Sequence, residues 1–146
     1  MAMLGGVRDA AQTAAYLDRN LAHWDRYGHG VYVLHERESD DVAGLGCLRN
    51  LPLDAHHEVE IGYSLFPAYW GRGLATEVAR ACIDLGFSCL DTNSLVAVTH
   101  PANRASQRVM EKVGMAYERE TMLEGHSVVL YRGWRAEVVR TGGAEG

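Results

Sequence analysis

Apolar residues recur at spacings of three and four between Asp9 and Tyr27, at Ala14, Leu17, Leu21 and Trp24, with Asp9 placed to cap the start and Gly28 to end the run. The pattern predicts an amphipathic helix. Val31 to Arg37 (VYVLHER) and Ala43 to Arg49 (AGLGCLR) flank the polar turn ESDD and predict an antiparallel hairpin. Glu58 to Leu65 (EVEIGYSL) is a further alternating, β-rich stretch, followed by the Pro67 turn and the glycines 71 and 73. The period then changes. Leu74, Val78, Cys82 and Leu85 share one helical stripe, so the chain passes from strand to helix across PAYWGRG. Ser94 to Thr99 (SLVAVT) predicts an apolar strand broken by His100-Pro101, and Asn103 to Val113 predicts a helix that Gly114 stops. Met115 to Thr121 and Ser127 to Trp134 form a closing pair of strands, and residues from about 137 to 146 read as a frayed tail.

The order helix, hairpin, strand, helix, strand, helix, strand, strand predicts an α+β (mixed α/β) fold around one sheet, with residues 1–146 as a single domain. It is not a regular βα alternation. The lone GRG also lacks the third glycine of GxGxxG and the lysine of a phosphate-binding GxxxxGK[ST] loop, which disfavours a dinucleotide fold. An apolar content of 47% in 146 residues suffices for one core without metal or disulfide support. Cys47, Cys82 and Cys89 are an odd set with no CxxC pair and read as reduced packing residues. A formal charge of −5 with no basic stripe argues against a nucleic-acid partner, and no HExxH or HxxxH pattern supports a metal site. The first residues carry no secretory signal, and no apolar run approaches the ~20 residues that span a bilayer. A cytoplasmic protein with no membrane partner is the expectation.

Candidate chemistry concentrates at the strand-to-helix turn. A helix that begins just after Gly73 has first N–H groups without intrahelical acceptors and a partial positive charge, so it attracts an anion. Gly71 and Gly73 remove the β-carbons that would hold a diphosphate away, Ala75 keeps the first turn slim, and Arg72 adds a charge at the rim. The plainer reading is that the glycines only make a turn. A second constellation lies on the later helix, where Asn103, Ser106 and Met110 share one face beside Arg104 and Arg108. Those side chains could line a pantetheine arm and a thioester; alternatively, Asn103 only caps the helix and Ser106 marks a small-residue contact.

Together, EIGYSLFPAYWGRGLATEV (Glu60 to Val78) and NRASQRVMEKVGM (Asn103 to Met115) resemble the GNAT superfamily of acyl-CoA N-acyltransferases, most closely its ribosomal-protein N-terminal acetyltransferase-like branch. The similarity extends from the Asp9 helix to Trp134. It implies a central mixed sheet flanked by helices, acetyl-CoA as co-substrate, and transfer of its acetyl group to an amine, a protein N-terminal α-amine or a small molecule, by direct attack in a ternary complex. It places Tyr63, Ser64 and Leu65 along the pantetheine arm, the turn of Trp70, Gly71, Arg72, Gly73, Leu74, Ala75 and Thr76 around the pyrophosphate, and Asn103 and Ser106 at the cofactor. The chain also departs from the family. Nothing corresponds to the strand with which family members usually begin, and the sheet edge this leaves could pair with a second copy as a homodimer. Many relatives carry a tyrosine at the position of Met110 to protonate the departing thiolate, which methionine cannot do. The branch named above has a serine at the place of Ser106, which inherits that role.

Transfer requires a neutral amine, a polarised carbonyl and a stabilised thiolate. A thiol of pKa about 8.5 leaves readily, whereas deprotonating an α-amine of pKa about 8 at neutral pH costs roughly 1.4 kcal/mol and a lysine roughly 4.6. A backbone N–H near Ser64 or Leu65 is the candidate carbonyl donor. Glu60 is the first candidate base and Glu58 the second, both on one strand face, and pairing with an arginine is the structural alternative for either. His56 and His57 are further candidates, expected in a loop. A non-catalytic acyl-CoA-binding or sensing module is the competing function, and a purely structural domain the third.

Overall fold

The computed structural model of the protein describes residues 10–136. In chain order its elements are α1 (Ala10–Tyr27), β1 (Val31–His35), β2 (Val42–Leu53), β3 (His56–Leu65), α2 (Leu74–Cys89), β4 (Ser94–Thr99), α3 (Arg104–Lys112), β5 (Ala116–Leu123) and β6 (His126–Trp134). A short 3-10 turn, Pro67–Tyr69, stands between β3 and α2. The strands form one six-stranded sheet in the order β1-β2-β3-β4-β6-β5. Neighbours are antiparallel except β3 and β4, which are parallel and joined at a single register pair, Glu60 with Val96. This is the mixed α/β architecture expected from the chain pattern.

The alternation of side chains gives the sheet two different faces. On the helix side, Leu48, Ile61, Leu95, Ala97, Val129 and Tyr131 meet Ala79, Cys82, Ile83 and Phe87 of α2 and Met110 and Val113 at α3. The reverse face buries a smaller set, Leu51, Leu53, Val96 and Leu130. Leu48, Leu95, Leu130 and Val96 are fully enclosed, each worth roughly 2 kcal/mol of apolar burial. Helix α2 lies close on the sheet at Gly86, where an added β-carbon would sit 3.0 Å from Leu95. Its C-terminus is held by Arg135, whose guanidinium donates to the carbonyls of Phe87, Leu90 and Thr92 at 2.7–3.1 Å. A cation there also suits the negative end of the helix.

Several expectations change. Strand β2 runs on through Pro52 to Leu53, and β3 begins at His56, so the hairpin turn is Asp54-Ala55, both at positive φ. Proline is tolerated because β1 starts opposite Cys47 and leaves the later part of β2 without a strand on that side. The Leu48 amide there bonds to the Gly30 carbonyl, and the Asn50 amide to Nε2 of His23 in α1. His56 and His57 are therefore strand residues, not loop residues. In α1 the stripe is not buried as predicted: Ala14, Leu17 and Leu21 are exposed, Leu21 at 64%, while Trp24 packs edge-on to Tyr32 and donates to the Val31 carbonyl. The helix docks through His23 and Trp24 instead. The expected cap at Asp9 and the tail from about 137 lie outside the described residues. Among the described residues no helix is long and apolar enough to cross a membrane.

Candidate active site

The single pairing of Glu60 with Val96 makes a vertex, after which both strands continue without a shared ladder. The Phe66 amide donates to the Ala43 carbonyl at 2.8 Å, and Leu65, Ser64 and Tyr63 stand opposite Gly44, Leu45 and Gly46. Amide direction alternates along a strand, so the Ser64 N–H turns to β2 while those of Tyr63 and Leu65 face the opening toward β4. Of Ser64 and Leu65, only Leu65 has its amide facing that opening. Gly44 lets β2 approach here, since a β-carbon on it would lie 2.0 Å from the Ser64 carbonyl oxygen.

The turn after β3 is fixed from within. Trp70, half exposed, donates its indole N–H to the Leu65 carbonyl at 2.8 Å. Gly71 and Gly73 take φ of 71° and 74°, a region that costs other L-residues about 1–2 kcal/mol, and a β-carbon on either would meet open space. Gly73 is the N-cap of α2 and offers no side-chain cap. The Glu77 amide closes the first turn on the Gly73 carbonyl. Among the described residues no protein acceptor meets the amides of Leu74, Ala75 and Thr76. This is the bare, glycine-lined helix start that a diphosphate requires. Arg72 lies over the Tyr69 ring and 3.8 Å from Glu36 in the β1–β2 connection, so part of its charge is offset there.

Across the opening, Asn103 caps α3 by accepting the Ser106 amide at 3.2 Å, and the Ser106 hydroxyl lies 3.2 Å from the Tyr63 phenol. Burial raises the Tyr63 pKa, with the bond to Ser106 opposing. Met110 does not join this face. It is 4% exposed and belongs to the core; Asn103 is the N-cap, with backbone at φ −82° and ψ 77°, so helical spacing counted from it does not hold. On the reverse face the buried Glu60 carboxylate receives Arg49 Nε at 2.5 Å. Burial pushes its pKa up, and Arg49 acts against that. Glu58 is held by both terminal nitrogens of Arg132, at 2.6 and 2.9 Å. Both carboxylates thus have the arginine partner named as the structural alternative, but only Glu60 sits at the vertex.

A cavity of about 670 Å³ opens between β1 and α2 and shares Leu65, Arg72 and Leu74 with the turn. It lies along the flank of α2 that faces β1 rather than α3. Among the described residues no group of three or more His, Cys, Asp or Glu side chains is placed to hold a metal ion. The Tyr63–Ser106 contact and the vertex at Glu60 were not legible in the sequence. The first joins residues 43 apart, and the second depends on where two strands cease to pair.

The family described as acetyltransferase (GNAT) domain matches residues 1–116. Uncharacterized protein YkkB of Bacillus subtilis (strain 168) is 29% identical over 131 residues, 90% of this chain and 76% of that protein. Spermidine N(1)-acetyltransferase of Escherichia coli (strain K12) is 32% identical over 69 residues, 47% of this chain and 37% of that protein. Among solved structures, an acetyltransferase from Agrobacterium tumefaciens str. C58 aligns with a TM-score of 0.78 and 28% identity over 92% of this chain and 77% of its own. Ribosomal-protein-S5-alanine acetyltransferase from Vibrio fischeri aligns with a TM-score of 0.72 and 19% identity over 91% of this chain and 79% of its own, a likeness of fold.

Proposed function

We propose, from the premise that this chain belongs to the acetyltransferase (GNAT) family and is an acetyl-CoA-dependent acetyltransferase, that it moves the acetyl group onto an amine by direct attack in a ternary complex. The observation that carries this reading is the start of α2, three adjacent amides without protein acceptors beside a cleft where β3 and β4 have parted. Gly71 to Thr76 hold the diphosphate through those amides, with Trp70 and Arg72 at the rim. Tyr63, Ser64 and Leu65 line the pantetheine arm, and Asn103 fixes the helix that presents Ser106. The Leu65 amide polarises the thioester carbonyl, a contribution of about 3 kcal/mol where such donors are removed in other acyl transfers. Ser106 donates to the departing sulfur. Glu60 takes the amine proton, directly or through water, its raised proton affinity suiting that task better than the bidentate Glu58.

The acceptor is an amine whose proton is easily lost. An α-amine fits a site with one shielded carboxylate, and the spermidine-acetylating relative makes a polyamine the second choice. Acetyl-CoA offered with α-amino peptides, polyamines and aminoglycosides is expected to release free CoA thiol with at least one of them. Ser106→Ala lowers kcat by about a hundredfold with little change in KM. No turnover above the blank across the panel counts against transfer, and CoA binding without turnover favours a sensing module.

A further inference from the structure

Ser106 alone is a poor source of a proton for a sulfur leaving group. A serine hydroxyl is a much weaker acid than a thiol of pKa about 8.5, so an alkoxide left behind has to be quenched at once. What a thiolate can use is a hydrogen bond from a serine hydroxyl whose direction is fixed, and a phenol that stays protonated at neutral pH can fix it. The described structure puts such a phenol in contact with Ser106. Tyr63 stands on the helix-facing side of β3, past the vertex, and reaches across the opening to the first turn of α3, with its Oη 3.2 Å from Ser106 Oγ. Its amide faces the opening while its side chain turns to α3, so backbone and ring serve separate purposes.

We infer that Tyr63 is a positioning residue that acts through Ser106: its phenol donates to Ser106 Oγ and thereby aims the serine's one proton at the departing sulfur, which is held as a hydrogen-bonded thiolate. The inference rests on the transferase reading of the site. In balance, the amine nitrogen forms a bond to the acetyl carbon as the carbon–sulfur bond breaks. The sulfur leaves with the bonding pair as a thiolate that accepts a hydrogen bond from Ser106, whose oxygen accepts one from Tyr63. The amine proton leaves separately. Burial of the ring keeps Tyr63 protonated between turnovers, so the donor is loaded when the thioester arrives. Asn103 completes the alignment by fixing the Ser106 backbone from the other side.

The test uses free CoA as the probe, because hydroxyl donors facing the sulfur favour its thiolate. The protein is titrated with CoA by calorimetry, and the bound thiol is titrated by its ultraviolet thiolate band. In the wild type the bound thiol is expected to ionise at lower pH than free CoA. In Tyr63→Phe, measured with CoA at saturation, the thiolate fraction at a fixed pH falls about tenfold, and Ser106→Ala shows the same loss, with no further loss in the double variant. Fluorotyrosine at position 63 restores the wild-type titration and moves the pH profile of kcat downward, which a merely structural ring would not do. A bound thiol that titrates identically in wild type and Tyr63→Phe overturns the inference and leaves the transferase reading standing. Failure of the wild type to bind CoA overturns both.

Discussion

The two ends of the parallel β3–β4 pair use similar residues to opposite effect. At the end where the strands begin, Arg132 bridges Glu58 and Glu118, Arg119 bridges Glu118 and Asp54, and Thr121 adds a hydroxyl to Asp54. Every charge has a partner, although these groups line a hollow of about 520 Å³. At the end where the strands finish, the helix start, the Leu65 amide and the Tyr63–Ser106 pair have donors to spare. A hollow becomes a site when its polar groups are left over, not when they are merely gathered.

That contrast can be broken by substitution. The largest effect is expected at the unsaturated end, where Gly73→Glu places a carboxylate and a strained φ at the amides proposed to hold the diphosphate. Loss of two hydrogen bonds to a charged group, about 1.5 kcal/mol each, should weaken CoA binding more than a hundredfold by calorimetry, with only a small drop in Tm. At the saturated end Arg132→Ala should do the reverse. It strands Glu58, whose side chain is only 14% exposed, at a cost of about 3 kcal/mol, or several degrees in Tm, while CoA affinity holds. If Arg132→Ala abolished CoA binding, the two ends would not be independent.

The smallest effect concerns pH and sharpens the comparison. Hydrogen bonds from Arg119 and Thr121 hold the Asp54 carboxyl below its ordinary range, and Arg132 does the same for Glu118. Groups of that kind stabilise the fold above their unfolded pKa and lose the contribution as pH falls through the folded value. Glu60 has the opposite sign. Burial raises it, so its contribution is present below the ordinary 4.5 and is lost as pH rises through the folded value. Thermal melts across pH should therefore show Asp54→Asn flattening the acid limb and Glu60→Gln flattening the limb above it. Identical profiles for the two variants would contradict the assignment.

How much of this was legible in the sequence depends on how local each signal is. Strand β4 coincides with the predicted Ser94 to Thr99, and α3 with the stretch that Asn103 caps and Gly114 ends, because caps and periods are written within a few residues. The glycine turn was legible for the same reason. The extension of β2 was not, since Pro52 argues against a strand unless one knows that β1 stops short of it. The α1 stripe misled because period alone says which residues share a face, not whether a partner covers that face. Met110 was placed with Asn103 on spacing, but Asn103 is the N-cap and stands outside the regular helix, while Met110 is buried in the core. The pairing of Tyr63 with Ser106 is a tertiary contact that no spacing rule encodes.

The lone register pair between β3 and β4 has one more consequence. It divides the sheet into two three-stranded leaves, each continuous in sequence, with α2 belonging to the first and α3 to the second. The leaves are glued by side chains rather than by a ladder, so a nick in the connection between α2 and β4 would yield fragments that each keep their own backbone pairing. Reassembly of such halves would rebuild the cleft from both sides at once, and catalysis would report complementation directly.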